Sequence, residues 1–509
     1  TGVFEGNGHT IKGLVMNNKD NQKYDDAGLF CGLKGATVEN LVIDSSCSFT
    51  GYFFAGALSV SLTGSLTATN VTNKAAVSGN EGAGGFVGRI EGLNQITDVK
   101  FKDCVNDGSI TGIESKAGGF IGKIEKNKDL TVTLSDSTNN GKIGKVTYSG
   151  GFVGIIQGNS DIKVTVSNCT NNGNVDGKSY LGGFFGFIRT NANMEMTLSN
   201  CTNNGNCTGS ERGVGGFIGH IYGSTNTILN KSNIINNGFI TGPNVIGGFI
   251  GSILCVNMTI SNSTNNGKIT GVSYTSGFFG SVATEYQSYF HLFAIINCAN
   301  KGNVSATDYM ACGMFSIDFA NSDNLYTVVN NSINMGSITA GRTAYGISSD
   351  IIFARNVVSI GEVTASPPSS TFWQSSTDVD LFYAMDGKCV ECRKDPTLFV
   401  HNTNTGFYEV VDSGKRVHDL LNAEVEKQNY GMFWTEELEL VDYYVEPSPS
   451  PPPLPSPSPS PSPSLSSAPS FLSTPSSQSG GLSGGNKHGV SLCLISVVVA
   501  LAAHVAMAQ

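Results

Sequence analysis

The sequence predicts an all-β fold, a parallel β-helix (β-solenoid) in which each unit of about 32 residues makes one coil, and three observations carry that prediction. Gly84-Gly85-Phe86-Val87-Gly88 recurs as Gly118-Gly119-Phe120-Ile121-Gly122 and again around Phe152, Phe184, Phe217, Phe249 and Phe278, at spacings of 34, 32, 32, 33, 32 and 29 residues. Asn-Asn-Gly travels with it, at Asn139-Asn140-Gly141, Asn171-Asn172-Gly173, Asn203-Asn204-Gly205 and Asn265-Asn266-Gly267. Between these signatures apolar and polar residues alternate, as in Leu130, Val132 and Leu134 or Ile162, Val164 and Val166, which is the period of a half-buried strand. Units this short bury their apolar side only against their neighbours. A β-propeller blade, at about 40 residues or more, is too long for this repeat.

Taken in order along one unit, the alternating segment reads as a strand. Asn-Asn-Gly reads as a tight corner, because Asn and Gly accept positive φ at low cost. The Gly-x-Ile-Thr-Gly segment, as at Gly267–Gly271, and the Gly-Gly-Phe segment complete roughly three short strands per coil. Coils spaced about 4.8 Å apart stack equivalent residues directly over one another. Phe86, Phe120, Phe152, Phe184, Phe217, Phe249 and Phe278 therefore form an internal aromatic ladder, the repeat core. Asn140, Asn172, Asn204, Asn237 and Asn266 form an amide ladder at the corner. The column before it reads Cys104, Ser137, Cys169, Cys201, Ile234, Ser263, Cys298 and Ser332. Small residues suit that corner, and the stacked cysteines are expected as free buried thiols, since their Cβ vectors run parallel instead of converging.

At the beginning of the chain Phe4-x-Gly6-Asn7-Gly8-His9-Thr10-Ile11-x-Gly13-Leu14 is followed by Gly28-Leu29-Phe30-Cys31-Gly32 and Val38-Glu39-Asn40-Leu41. This pattern resembles the β-helical repeats of the GLUG-motif type found in large microbial surface proteins, and the later units are similar to the same class across residues 1–365. The chain departs from that pattern in its Phe, where Leu is common, and in its Asn-Asn-Gly corners. Such repeats occur in adhesins and as accessory segments of large secreted proteases. The resemblance implies a fold and surface display, with no catalytic residue to carry over. Thr1 falls inside what already reads as a coil, so the chain is expected to be a fragment that lacks its amino-terminal part.

Residues 366–446 change character and are expected to form a small carboxyl-terminal cap module. They hold both tryptophans, Trp373 and Trp434, a predicted helix over 417–425, and Cys389-Val390-Glu391-Cys392. A structural disulfide between Cys389 and Cys392 suits a secreted chain. A zinc site has only His401 and His418 as loosely placed further ligands, and a redox motif lacks its βαβ setting. No metal site is predicted.

From 447 to 478 Pro and Ser alternate, which gives an extended polyproline-like stalk of about 3.1 Å per residue. Residues 479–509 have the arrangement of a glycosylphosphatidylinositol (GPI) signal. Small residues stand at Ser479-Gly480-Gly481, with Ser483 as a second attachment candidate, ahead of a polar spacer and an apolar run from Val490 to Ala508. Nothing charged follows that run, which sets it apart from an ordinary tail-anchoring helix. Nine Asn-x-Ser/Thr sequons agree with passage through a secretory pathway: Asn70, Asn168, Asn200, Asn206, Asn230, Asn257, Asn262, Asn303 and Asn330.

Charged residues make up 14% of the 509, and the net charge of −10 comes without a run of Lys or Arg. Nucleic acid is therefore not an expected partner, because phosphate neutralisation needs clustered cations. The units carry isolated charges, as at Asp98, Asp103, Lys163, Arg189 and Glu195, and no His-Glu-x-x-His, Gly-x-Ser-x-Gly or phosphate loop. The expectation is a non-enzymatic, GPI-anchored structural or adhesive protein on the extracellular face of the cell membrane, without cofactor or catalytic residue. Its expected partners are the membrane, through the lipid, and glycans or proteins of a host or neighbouring cell. The alternative is the repeat region of a secreted or surface carbohydrate-active enzyme or protease, which predicts a clustered Asp/Glu/Arg groove across neighbouring coils.

Overall fold

The structure, a computed structural model, describes residues 2–18, 26–92, 98–112, 116–223, 228–254, 257–283, 291–317, 325–349, 353–359 and 361–365, with short segments between 378 and 442. Thr1–Tyr444 forms one compact unit, and Val445–Gln509 a second that lies outside the described residues. The first unit is a parallel β-solenoid with one repeat per coil. One coil shows the plan: Thr131–Ser135 and Thr138–Asn139 lie on a first face, Ile143–Val146 on a second, Tyr148–Gly150 on a third and Val153–Gln157 on a fourth. Each strand pairs in parallel with its equivalent 32 residues on, as Val132 with Val164 and Val153 with Phe185. The second face stacks 12 strands and the third and fourth 10 each.

This coil therefore has five short strands, and the coil from Glu195 to Tyr222 four, where the sequence predicts about three. Two local causes account for the difference. The first face is split by a residue with left-handed backbone, Asp136 at φ 52° here and Asn168 at 54° in the next coil, whereas Glu195–Asn203 runs unbroken through Asn200 at 53°. The Gly-Gly-Phe segment is not a strand of its own: its first glycine ends the third-face strand, and the second glycine with the phenylalanine forms the bend between the third and fourth faces. A Cβ on Gly151 in that bend would lie 2.0 Å from the Gly183 carbonyl oxygen, so only glycine lets the coils approach there.

Asn-Asn-Gly also works differently from its prediction, since the positive φ falls on the Asx residue three positions before the pair and not on the triplet. The triplet carries two amide ladders. The first asparagine is buried, and each Nδ2 donates to the Oδ1 of the next coil from Asn73 through Asn106, Asn139, Asn171, Asn203, Asn236, Asn265 and Asn300 to Asn334, at 2.7–2.9 Å. The second is exposed and runs in the opposite sense, with Asn172 donating to Asn140, Asn204 to Asn172, Asn237 to Asn204 and Asn266 to Asn237, each at 2.8 Å. The glycine is required because a Cβ on Gly173 would lie 2.0 Å from the Gly141 carbonyl oxygen.

Inside the coils the seven phenylalanines are fully buried. From Phe120 through Phe152 and Phe184 to Phe217 their rings stack with centroids 4.7–4.8 Å apart. Burying a side chain of that size contributes about 1.5–3 kcal/mol. Cys104, Cys169, Cys201 and Cys298 are buried free thiols, and burial pushes Cys169 up to about 12 and Cys201 to about 11. Such thiols pack as small hydrophobes and are unreactive as nucleophiles.

Past residue 365 the first face gains Asp378–Met385 and Thr397–Asn402 in parallel, then Phe407–Val410 antiparallel to Thr397–Asn402. Met432–Trp434 pairs antiparallel with Leu440–Asp442. Within the predicted helix over 417–425 the described residues Asp419, Asn422 and Ala423 have helical backbone. Cys389, Cys392, His418, Ser479, Ser483 and the apolar tail lie outside the described residues, and His401 lies in Thr397–Asn402.

Candidate functional site

Every inward position described above is occupied by packing, so recognition chemistry has to be sought in the outward columns. Stacking turns each outward position into a column, and two columns on the fourth face differ from the Ser and Thr that line the first. Arg89, Lys123, Ile155, Phe187 and His220 are register partners in five successive coils, and so are Glu91, Glu125, Gln157, Arg189 and Tyr222. In the sequence the first set follows directly on the last glycine of the Gly-Gly-Phe-x-Gly signature and the second set stands two residues further on. Aligning the repeats on that glycine exposes both columns. Reading each charge alone does not.

The first column closes against the third face in a layer outside the phenylalanine ladder. The ring of Phe187 lies 5.2 Å from Tyr148 and 4.8 Å from Tyr180, and His220 lies 5.0 Å from Tyr180. Guanidinium groups cover the ends, Arg89 at 4.5 Å from Phe54 and Arg212 at 5.8 Å from Tyr180. Such contacts are worth about 0.5–2 kcal/mol each, according to how dry they are. Burial, with the Arg212 charge adding to it, pushes the His220 imidazole down to about 3, so this ring is neutral. Its Nδ1 has no hydrogen-bond partner among the described residues.

The second column forms the outer edge and joins neighbouring coils by side chains. Arg89 pairs with Glu91 at 3.0 Å, Lys126 reaches Glu91 at 3.2 Å, and Lys123 pairs with Glu125. Gln157 donates to Glu125 at 2.9 Å, and Arg189 Nε donates to Gln157 Oε1 at 3.0 Å. Arg189 is thus not the isolated charge that the sequence predicts. Lys163 is likewise paired across coils with Glu195 at 3.1 Å, and Asp98 pairs with Lys100. Burial pushes the Glu125 carboxyl up, but the Lys123 and Gln157 hydrogen bonds together with the Lys123 and Lys126 charges outweigh it and hold this group below its usual range. Burial, and then the Lys123 charge with Arg189 contributing, holds the Lys116 amine low.

Between Glu125, Lys126, Gln157, Gly158, Arg189, Thr190 and Tyr222 a pocket of about 310 Å³ opens on this edge. It offers hydrogen-bond donors and acceptors side by side, one aromatic ring, and a guanidinium held in place by Gln157. Among the described residues no three His, Cys, Asp or Glu side chains come together to hold a metal ion. A carboxylate kept ionised by an ammonium is suited to ion pairing and unsuited to donating a proton as a general acid.

The sequons fall into distinct settings. Asn70, Asn168, Asn200 and Asn262 belong to the left-handed column of the first face, where Asn200 donates to Asn168 at 3.2 Å and Asn168 to Asp136 at 2.9 Å. Asn206, Asn257 and Asn303 accept a backbone N–H of the next coil at Oδ1, from Phe239, Leu292 and Ser337. Asn230 is exposed and Asn330 partly so in its strand. No family model matches the chain, and neither a curated protein nor a solved structure does.

Proposed function

We propose that this chain is a non-enzymatic, GPI-anchored surface protein of a eukaryotic microbe, whose solenoid is presented on the Pro/Ser stalk for adhesion or coat formation. The observation that carries this reading is the division of labour in the solenoid. The inward columns are consumed by packing and amide ladders, while five successive coils line up an outward groove of charged, amide and aromatic groups. The order of repeat, stalk and attachment signal along the chain supports display at a membrane, as does the resemblance to GLUG-type surface repeats. The sequons support exposure to a secretory pathway, and an attached glycan blunts any pairing edge of the solenoid it covers.

A second reading has one observation in its favour. Glu91, Glu125 and Arg189 share one column across neighbouring coils, as the repeat region of a carbohydrate-active enzyme would arrange them. The ion pairs that hold both carboxylates favour binding over turnover, since glycoside hydrolysis needs one carboxyl kept protonated.

Phosphatidylinositol-specific phospholipase C tests the anchor on intact cells displaying the protein. Release of the protein into the supernatant is the expected result. Complete retention on cells whose known GPI proteins are released overturns it.

A further inference from the structure

We propose that the groove at Gln157, Arg189 and Tyr222 binds one hexuronic-acid unit of an acidic polysaccharide, with the sugar carboxylate on the Arg189 guanidinium. This rests on the reading that the outer surface of the solenoid does the recognising, and it adds the ligand class and the residues.

Three features of the pocket lead there. The first is charge. Glu125 is neutralised by Lys123, and Glu91 by Arg89 and Lys126, whereas Arg189 is held by two uncharged groups, the amide of Gln157 and the Phe187 ring, 5.5 Å from the guanidinium carbon. The guanidinium is held through Nε, and no acceptor among the described residues takes its terminal nitrogens. A guanidinium fixed in this way offers its remaining fork to a planar anion, and carboxylate is the anion that the fork fits in two parallel hydrogen bonds. In a chain of net charge −10 this is a local cationic surplus.

The second is size and lining. A volume of about 310 Å³ lies at the lower end of ligand pockets, the room one sugar ring with its substituents needs. The Tyr222 ring supplies an apolar surface in the coil after Arg189, and Glu125, Gln157 and Thr190 supply acceptors and donors for hydroxyl groups. A peptide carboxylate would use the fork but bring no hydroxyl groups to Thr190 or to the acceptor lone pairs that Glu125 and Gln157 have left over from their mutual hydrogen bond. The third is access. Gly158 has φ +61°, and a Cβ there would meet nothing within 4 Å, so the pocket is open where the chain turns out of the fourth face. A polymer can therefore continue beyond the bound unit along the column.

The test uses the purified full chain and titration calorimetry with a glucuronate-containing tetrasaccharide, its carboxyl-reduced counterpart and sodium sulfate. The wild type is expected to bind the acidic tetrasaccharide, more weakly as salt rises, and to bind the reduced one at least tenfold less tightly. Arg189→Gln is expected to lose at least tenfold in affinity, Arg189→Lys to recover part of it, and Tyr222→Ala to weaken both sugars alike. Equal binding of the acidic and reduced sugars, unchanged affinity in Arg189→Gln, or no binding by the wild type overturns the proposal. Binding of sulfate without the tetrasaccharide overturns it as well, as an adventitious ion only. If Arg189→Gln fails to match the wild-type thermal melt, Arg189→Lys and the salt series decide between these outcomes. None of these measurements depends on the lipid, so a failure here leaves the anchor reading standing, and retention after phospholipase treatment leaves this one standing.

Discussion

Lys231 is the residue that fits its place least. Its register partners Leu198 below and Ile260 above are core positions, yet it is a lysine, 2% exposed, whose Nζ donates to the Met258 sulfur at 3.2 Å. Burial pushes its amine down to about 7 from the ordinary 10.5. The unfolded chain keeps its proton up to the ordinary value, whereas the folded chain has released it above about 7. Between those values the unfolded state binds more protons, so stability rises with pH across this window, by up to about 1.4 kcal/mol per pH unit. Below about 7 the buried charge is a full penalty. Urea unfolding from pH 6 to 10 should show that rise in the wild type, while Lys231→Met should remove it and be the more stable protein at pH 6. An unchanged pH dependence in the variant would mean that Lys231 is not buried in this way. The placement was legible in the sequence, because the alternation that turns Leu229 inward turns Lys231 inward too. The depressed pKa was not, because it depends on the packing that neighbouring coils place around the amine.

At the scale of one coil, the corner is where sequence and structure part. The recurring Asn-Asn-Gly marks a corner from sequence alone, and that corner is where it was expected. Which asparagine faces inward was not legible, since a corner has neither the period of a strand nor that of a helix. The ladders make the distinction measurable. Asn171 receives a hydrogen bond from Asn139 and donates to Asn203 and to the Gly173 carbonyl, all buried, so Asn171→Ala leaves several groups unpaired at about 1–3 kcal/mol each. Asn172 makes the equivalent contacts in the exposed ladder, where water substitutes, and Asn172→Ala should stay within about 0.5 kcal/mol of the wild type. Denaturant midpoints of the two variants compare them directly, and equal losses would contradict the inward assignment of Asn171. The same locality explains the strand count. Bends at glycine and, in several coils, a left-handed Asx residue on the first face divide strands that the alternation alone runs together.

Across the whole solenoid, the fold class and its repeat length were legible because they depend on spacing, which the sequence displays openly. The candidate site was legible only once the repeats are aligned on the last glycine of Gly-Gly-Phe-x-Gly, because Glu125, Gln157, Arg189 and Tyr222 are different residue types separated by about one repeat each. They become neighbours only when coil stacks on coil, and a substitution in one coil acts on the next. The pocket therefore stands or falls with the register that brings residues 32 or 33 apart into contact. Nitroxide labels at Ser135 and Ser261 test that register most directly, since Ser167, Ser199 and Ser232 lie between them in one outward column. Four coil steps of roughly 4.8 Å place the two backbones about 19 Å apart, so pulsed electron resonance should give one narrow distance near that value, broadened only by the label arms. A wide distribution centred beyond about 30 Å, as separately folded units of this spacing on a flexible chain would produce, would contradict it.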